Sequence, residues 1–458
     1  LKLILFLSIF PVLYLLVVKP EYIAALFFTI TIADINFEVG GASFRAILGI
    51  LLLARTIIPD KKTEYPSVFS TNAFYIFLLI LYATLVTIAY DLATITFVKI
   101  TGQVIIATFC GYHYFMRKGR YDLLKISLII SGLICLGDLA YTYAVVGTFP
   151  VQRIYESLLG ITQDVNENGD FIEKINHNFY GQICAMCFVF LLHEYVTNTD
   201  KKRDQTQLII LPLMLLGVLM STSRSSLLGL IGISIFQLRL MIKSGQNATK
   251  AIRVVMIMAS ALILSFLLFS VVKDSLNLRL DFVDRISERL IDEPLAVFQK
   301  RLGLNYNAQA LDAMEWREEA SANAFEAFLR LKPIEQIFGI GYWGFVERNL
   351  GHTHLPPHNG FLLLLIENGI IGFAIYILLV FAVIRISNRT LPSSSPIISV
   401  IIFMFLYCVG QNGELTNGTT FLFLVTLIGQ SVYTEKIKYG HEMKLTEMTK
   451  RHFSMTAN

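Results

Sequence analysis

Apolar runs long enough to cross a bilayer recur along almost the whole chain, and that recurrence constrains the fold more than any motif does. They fall at 3–18, 21–33, 44–58, 72–90, 96–116, 123–146, 178–197, 206–221, 225–242, 253–272, 358–385, 396–411 and 417–434. A spanning helix needs roughly 20 apolar residues. Lipid offers no partner to backbone N–H and C=O groups, so open-ended spans are helical. The expected fold is all-α, a polytopic transmembrane helical bundle of about 12–14 spans. The first two runs are short and suit a hairpin or a re-entrant pair, which sets the range. Leu3–Val18 has no small-residue cleavage site ahead of Lys19-Pro20 and reads as a membrane segment, not a signal peptide. Composition agrees: 55% of residues are hydrophobic and 16% charged, against about 25% charged in soluble domains. The net charge of +4 gives no reason to expect nucleic acid.

Orientation follows from Lys and Arg in the short loops. One set of loops carries Lys61 and Lys62, then Arg117, Lys118 and Arg120, then Lys201, Lys202 and Arg203, then Lys243 and Lys250, then Arg385 and Arg389. These read as cytoplasmic, as does the basic tail. The opposite set, 34–41, 91–94 and 410–417, has no Lys or Arg and reads as outside. Strict alternation over thirteen spans places Leu1 outside. The chain then divides into a transmembrane bundle at 1–272, a large extracytoplasmic loop at 273–357, C-terminal transmembrane helices at 358–434 and a cytoplasmic tail at 435–458. A second outside loop lies at about 147–178. Within 273–357, Leu280–Leu302 and Leu311–Leu331 have helical periodicity with charges on one side, as expected of packed helices on the membrane surface. Loops this long are functional or disordered.

All five cysteines lie in apolar stretches. Cys184 and Cys187 have C-x-x-C spacing, but no second Cys or His pair accompanies them. They read as small apolar residues one turn apart on a membrane helix.

Three patches carry chemistry. The first is His358-Asn359-Gly360, preceded by Pro356-Pro357 and followed by an apolar run with Glu367-Asn368-Gly369 and Gly372. The prolines stop any upstream helix, so a new one starts near His358. Its first N–H groups and positive dipole end form an anion site. On a continuous helix Gly369 and Gly372 fall within roughly 40° of the His358 face. Close packing of a second helix on those glycines would aim His358 into the bundle. An interfacial His that caps the helix fits the same pattern. The second patch is Ser221-Thr-Ser223-Arg224-Ser-Ser, between two apolar helices. Its hydroxyls suit N-caps, and an Arg there needs a partner or an anion. A guanidinium suits phosphate through its fork of donors; a snorkelling Arg would occupy the same place. The third is Arg317, flanked by Glu315, Glu318 and Glu319 and followed by the Gly-rich stretch Gly339-Ile-Gly341-Tyr342. A salt bridge and a catalytic role are equally compatible with it.

Together these patches resemble the bacterial O-antigen ligases and the related O-antigen and exopolysaccharide polymerases. The family signature is His, then Asn, Ser or Gln, nine residues, Gly, two residues, and Gly, Thr or Tyr. His358, Asn359, Gly369 and Gly372 match it in full. Thr-Ser-Arg-Ser-Ser-Leu-Leu around Arg224 resembles the family's Ser-Arg segment, Gly339–Tyr342 its Gly-x-Gly turn, and Asn178-Phe179 an Asn-Phe pair that opens an earlier helix. The likeness is good over roughly residues 175–375. One departure concerns the loop Arg, which the family places shortly before an aromatic-rich helix. Arg317 is nearest, but Phe325 rather than Trp opens that helix, which leaves Arg289, Arg301 and Arg330 as alternatives.

The resemblance implies a C-type glycosyltransferase fold in a bacterial inner membrane, with the active site facing the periplasm. It implies a donor glycan on undecaprenyl pyrophosphate, an acceptor glycan lipid, no cofactor or metal, and a chain-length regulator as a partner. It makes His358, Arg224 and Arg317 the catalytic residues, and Asn359, Ser223, Asn178, Gly341 and Tyr342 the substrate-binding ones. A neutral imidazole suits removal of the acceptor hydroxyl proton, and arginines suit the leaving pyrophosphate. The Glu-Asn-Gly-Ile-Ile-Gly run favours polymerase over ligase. Two other classes remain. A flippase calls for mid-span charges, which are scarce: Asp138 and Glu194 are the main ones. A metal-dependent C-type enzyme would use Asp34 and Glu38.

Residues 273–357 contain ten Lys and Arg, yet long loops cross the membrane largely regardless of charge. In a background lacking the five native cysteines, Asn305→Cys and Gln309→Cys are expected to react with an impermeant thiol reagent in intact spheroplasts. Asn247→Cys should react only after lysis. The reverse pattern would place the Arg224 turn and His358 in the cytoplasm.

Overall fold

The structure is a computed structural model. It describes residues 19–33, 35, 38–39, 42–57, 81–82, 85–89, 106, 110, 114, 121–146, 163–165, 171–173, 177–221, 223–243, 292–305, 307–341, 344–350, 357, 359–389 and 396–410, with scattered positions between 252 and 271. The runs expected at 3–18 and 417–434 lie outside these residues, as does the tail. Helices dominate: α1 (Pro20–Ile32), α2 (Phe44–Ile57), α3 (Tyr121–Val146), α4 (His177–Thr197), α5 (Lys201–Ser221) and α6 (Arg224–Lys243) precede the loop. In the loop are α7 (Glu293–Arg301), α8 (Ala308–Arg330), α9 (Pro333–Phe338) and α10 (Gly344–Glu347); α11 (Gly360–Arg389) and α12 (Pro396–Gly410) follow it. Among the described residues two helices are long and apolar enough to cross a membrane, over Asp122–Tyr141 and Gly360–Leu378.

The mainly helical expectation holds among the described residues, with two short hairpins beside the helices. Two antiparallel hairpins occur among the described residues, β1 (Glu38–Val39) with β2 (Ala42–Ser43) and β3 (Gln163–Val165) with β4 (Phe171–Glu173). The sequence joining the first pair is Gly40-Gly41, a dipeptide suited to the positive φ angles of a two-residue hairpin. Both hairpins fall in polar connections, so the apolar runs themselves remain helical.

Helix α4 is the hub. Every residue from Tyr180 to His193 is buried, and α3, α5, α6 and α12 all pack on it. A helix apolar on all sides is stable only when surrounded in this way. Small residues let the neighbours come close. A Cβ on Gly132 of α3 would lie 3.4 Å from Cys187 Cβ, and one on Gly217 of α5 would lie 3.2 Å from Cys184 Cβ. The C-x-x-C pair is thus packing at the α3–α4–α5 junction, and both thiols are free. On the other side, Gly229 and Gly232 of α6 receive Phe403 and Leu406 of α12. A Cβ on either glycine would lie 2.7 Å from the side chain it receives.

Polar contacts gather in two layers, one near each end of α4. At one end Tyr180 donates to Asp138 of α3 (2.6 Å), and Tyr407 of α12 donates to the Asn178 carbonyl (3.3 Å). At the other, Lys125 of α3 pairs with Glu194 of α4, Gln207 of α5 donates to Glu194 (3.0 Å), and His193 meets Ser399 of α12 (2.7 Å). Low residue numbers on α3, α5 and α12 meet the late residues of α4, so all three run antiparallel to it.

The loop helices sit against α11, which α8, α9 and α10 all touch. Here the helical-wheel expectation for Gly369 fails. Gly369 has φ 64 and ψ −175, which breaks α11 into two segments. That backbone region is essentially open to glycine alone. The neighbour it admits is the Gly339–Gly341 turn, whose Ile340 N–H donates to Ile366 O (3.2 Å) and Gly341 N–H to Glu367 O (2.9 Å). Gly339 and Gly341 also have positive φ, 87 and 88. A Cβ on Gly369 would come within 2.6 Å of the Ile337 carbonyl carbon. Gly372, by contrast, lies under the Tyr82 ring, where a Cβ would be 2.9 Å from Cε1.

Gly369→Ala should therefore lower the apparent melting temperature of the detergent-solubilised protein well beyond Gly303→Ala. Gly303 also has positive φ, but a Cβ there meets nothing within 4 Å. Backbone strain of this kind costs about 1–3 kcal/mol; only Gly369→Ala adds a collision with the docked turn. Equal shifts in the two variants would mean that the turn does not hold α11.

Candidate functional site

The Ser-Arg turn forms as the residues at the α5–α6 junction require. Helix α5 ends at Ser221 and α6 begins at Arg224, with Ser223 as its N-cap. The Ser226 N–H reaches Ser223 Oγ at 3.4 Å, and Ser226 Oγ donates to Ser223 Oγ at 2.9 Å. Ser223 N–H in turn donates to Ser221 Oγ (3.3 Å). Ser221, Ser223, Ser225 and Ser226 are all buried, whereas Arg224 is partly exposed. Ser223, expected to bind substrate, is occupied in holding the helix start. Its effect on a ligand runs through the turn it shapes.

The first turn of α4 lies directly against this junction. A Cβ on Gly181 would sit 2.9 Å from the Cβ atoms of both Ser221 and Ser223. Asn178, Ser223 and Arg224 are thereby brought to one end of the bundle, although they come from separate helix starts and junctions. Sequence reasoning did not find the groups that secure this end, Tyr180, Asp138 and Tyr407. The lone carboxylate of Asp138 in an apolar run was a signal; its partner, 42 residues on, was not legible.

A second cluster surrounds the start of α11. Asn359 caps it: its Oδ1 accepts from Phe361 N–H and Leu362 N–H, each at 3.1 Å. The helix thus starts at Gly360, slightly later than expected, and the Asn359 side-chain oxygen serves the helix, as capping requires. His358 itself and Tyr342 lie outside the described residues. Gly341, expected to meet substrate, is buried in the turn that docks on the α11 break.

Arg317 lies within α8, between Ala308 and Arg330; its side chain is outside the described residues. Phe325 shares that helix and does not open one, contrary to the sequence reading. Of the alternatives, Arg330 pairs with Glu326 in the same exposed face (3.0 Å), Arg301 ends α7 in an exposed position, and Arg289 is not among the described residues. Another loop arginine is structural: Arg348 donates to Glu335 at 2.9 Å. Burial pushes the Glu335 carboxyl up, but the Arg348 hydrogen bond, the Lys332 N–H and the charges of both residues outweigh it, so its pKa is lowered.

Between α8 and α11 opens a groove of about 450 Å³, bordered by Ser321, Phe325, Asn359, Phe361, Leu365 and Phe373. Its walls are mainly apolar, with Asn359 and Ser321 as polar edges. It adjoins the cap of α11 and follows that helix past the Gly369 break. The two clusters belong to one bundle, because α11 packs on α12 and α12 packs on α4 and α6.

Comparison with known proteins meets this geometry directly. Residues 209–377 match the family model described as O-antigen ligase. No curated protein matches the chain closely enough to count as a relative. The matched stretch contains the Ser-Arg turn, the loop helices, the Gly339–Gly341 turn and the start of α11, and it leaves out α3 and all of α4. Over that stretch the chain is similar to the O-antigen ligases, in line with the resemblance its motifs suggest.

Proposed function

We propose that the protein is a polytopic inner-membrane glycosyltransferase of C-type fold. It extends a lipid-linked glycan by transfer from an undecaprenyl-pyrophosphate donor at the periplasmic face. The observation that carries this reading is the Ser223-capped turn, which fixes a partly exposed Arg224 at a helix start beside the opening of α4. A guanidinium there can donate to two phosphate oxygens at once. Acceptor hydroxyl attacks the anomeric carbon, the bond from that carbon to the pyrophosphate oxygen breaks, and the hydroxyl proton passes to His358. Arg224, with a loop arginine such as Arg317, neutralises the charge gathering on the leaving pyrophosphate. Asn359 shapes the helix start that His358 precedes, and Asn178 lies at the other helix start. The apolar groove beside Asn359 suits an isoprenoid chain better than a sugar. In this reading 1–272 and 358–434 supply the membrane bundle, and 273–357 covers it from outside.

A second reading is ligation of the finished glycan to lipid A-core, favoured by the ligase description of the matched family. The acceptor decides between them. Purified protein given lipid-linked repeat units in EDTA should yield polymer without lipid A-core. Product that forms only when lipid A-core is added would make it a ligase. Loss of turnover in EDTA, restored by magnesium or manganese, would move the chemistry to Asp34 and Glu38.

In the same assay His358→Ala is expected to lower the rate by about 10²–10⁴-fold, the usual contribution of a general base. Arg224→Lys keeps the charge but not the fork, and should lose about 10²-fold. A correctly inserted His358→Ala protein with normal turnover would remove the base assignment; full activity in Arg224→Lys would make Arg224 an interfacial anchor.

A further inference from the structure

The opening turn of α4 is held from three directions, and one of the three contacts is costly. From α12, Tyr407 donates to the Asn178 carbonyl (3.3 Å). From the α5–α6 junction, Ser221 and Ser223 press on Gly181. From α3, Asp138 accepts a hydrogen bond of 2.6 Å from the Tyr180 hydroxyl. Asp138 is 3% exposed and Tyr180 1% exposed. A buried polar side chain in an apolar bundle carries a desolvation penalty that an apolar side chain of similar size avoids. Simple cohesion of α3 and α4 does not call for it, since the glycine and cysteine contacts of the same junction supply close packing without charge. What the carboxylate adds is a short, directional acceptor for a rigid phenol.

We propose that Asp138, acting through Tyr180, is a positioning residue for glycan transfer. It fixes the rotation of α4 about its axis, and thereby where the Ser221–Ser223 junction presents Arg224. Tyr180 and Gly181 are consecutive, so a turn of α4 that loosens the first shifts the second against the serines. With Cα atoms about 2.3 Å from the helix axis, a rotation of about 25° moves them roughly 1 Å. Misplacement on that scale costs about 10²-fold in rate. The inference rests on the proposed role of Arg224 in holding the leaving group. Neither Asp138 nor Tyr180 lies in the stretch matched to the family.

The test compares Tyr180→Phe and Asp138→Asn in the wild-type and Arg224→Lys backgrounds of the full chain. The readouts are kcat and KM for a lipid-linked repeat unit and the apparent melting temperature. Tyr180→Phe is expected to lower kcat about 10- to 100-fold, with KM and melting temperature little changed. Asp138→Asn, which keeps one acceptor oxygen, should fall between it and wild type. In the Arg224→Lys background neither variant should cost more than about twofold, because a flexible point charge gains nothing from a fixed mount. Equal fold-losses in both backgrounds, or losses that follow melting temperature, would make the pair ordinary core structure and overturn the proposal, as would full kcat in Tyr180→Phe. If Tyr180→Phe does not accumulate, Asp138→Asn carries the same comparison. Full activity in Arg224→Lys alone would instead refute the role of Arg224, a result distinct from failure of the pair.

Discussion

A helix in lipid can break only where something replaces the hydrogen bonds it gives up. The break of α11 at Gly369 is the point on which the rest of the site depends. Carbonyls of Ile366 and Glu367 would ordinarily accept from N–H groups one turn later, beyond the break. Ile340 and Gly341 supply those donors instead. The exchange uses three glycines of positive φ, Gly339, Gly341 and Gly369, and a Cβ on Gly339 or Gly369 would collide with the backbone opposite. Tyr82 closes the arrangement by donating to Phe338 O (2.7 Å). The long loop is therefore tied to α11 by main chain, close to the helix start that His358 precedes.

The other half of the site depends on α4 being unable to move. Its neighbours are small where they cross it and polar where they end. Lys125, Glu194, Gln207, His193 and Ser399 fix one end of the helix; Asp138, Tyr180, Asn178, Ser221, Ser223 and Tyr407 fix the other. Between the two layers the contacts are mainly apolar, with Gln182 reaching Met404 Sδ (3.0 Å) and Gln237 donating to the Val189 carbonyl (3.3 Å). The end layers add the ion pair and the carboxylate contacts that this middle lacks.

Much of this was legible in the sequence, for one physical reason. Hydropathy reports burial in lipid or core, and it located α1–α6, α11 and α12 within a few residues. Capping is local, so the Ser-Arg turn was legible too, including the helix that starts at Arg224. The misreadings came where a local rule was carried past its range. Counting 100° per residue through Gly369 assumed an unbroken helix, and the glycine that read as a packing face is a joint. Phe325 read as a helix start because aromatic content carries no boundary signal; α8 runs on through it from Ala308 to Arg330. Asp138 and Tyr180 lie 42 residues apart and meet only because α3 and α4 run antiparallel, which no single-sequence pattern encodes.

The antiparallel layout also bears on why arginine is needed at all. A helix start carries about half a positive charge and a helix end about half a negative one. At the Ser-Arg turn these lie side by side: α5 ends at Ser221 and α6 starts at Arg224, with a gap of two residues. The start of α4 is likewise beside the end of α5. Such neighbouring half-charges of opposite sign largely cancel at any distance beyond the turn itself, so the field left for a bound pyrophosphate is that of the formal charges. Phosphate sites built on helix dipoles use starts without an adjoining end. The α5–α6 junction does not offer that arrangement, and under the proposed function the guanidinium of Arg224 is what takes its place there.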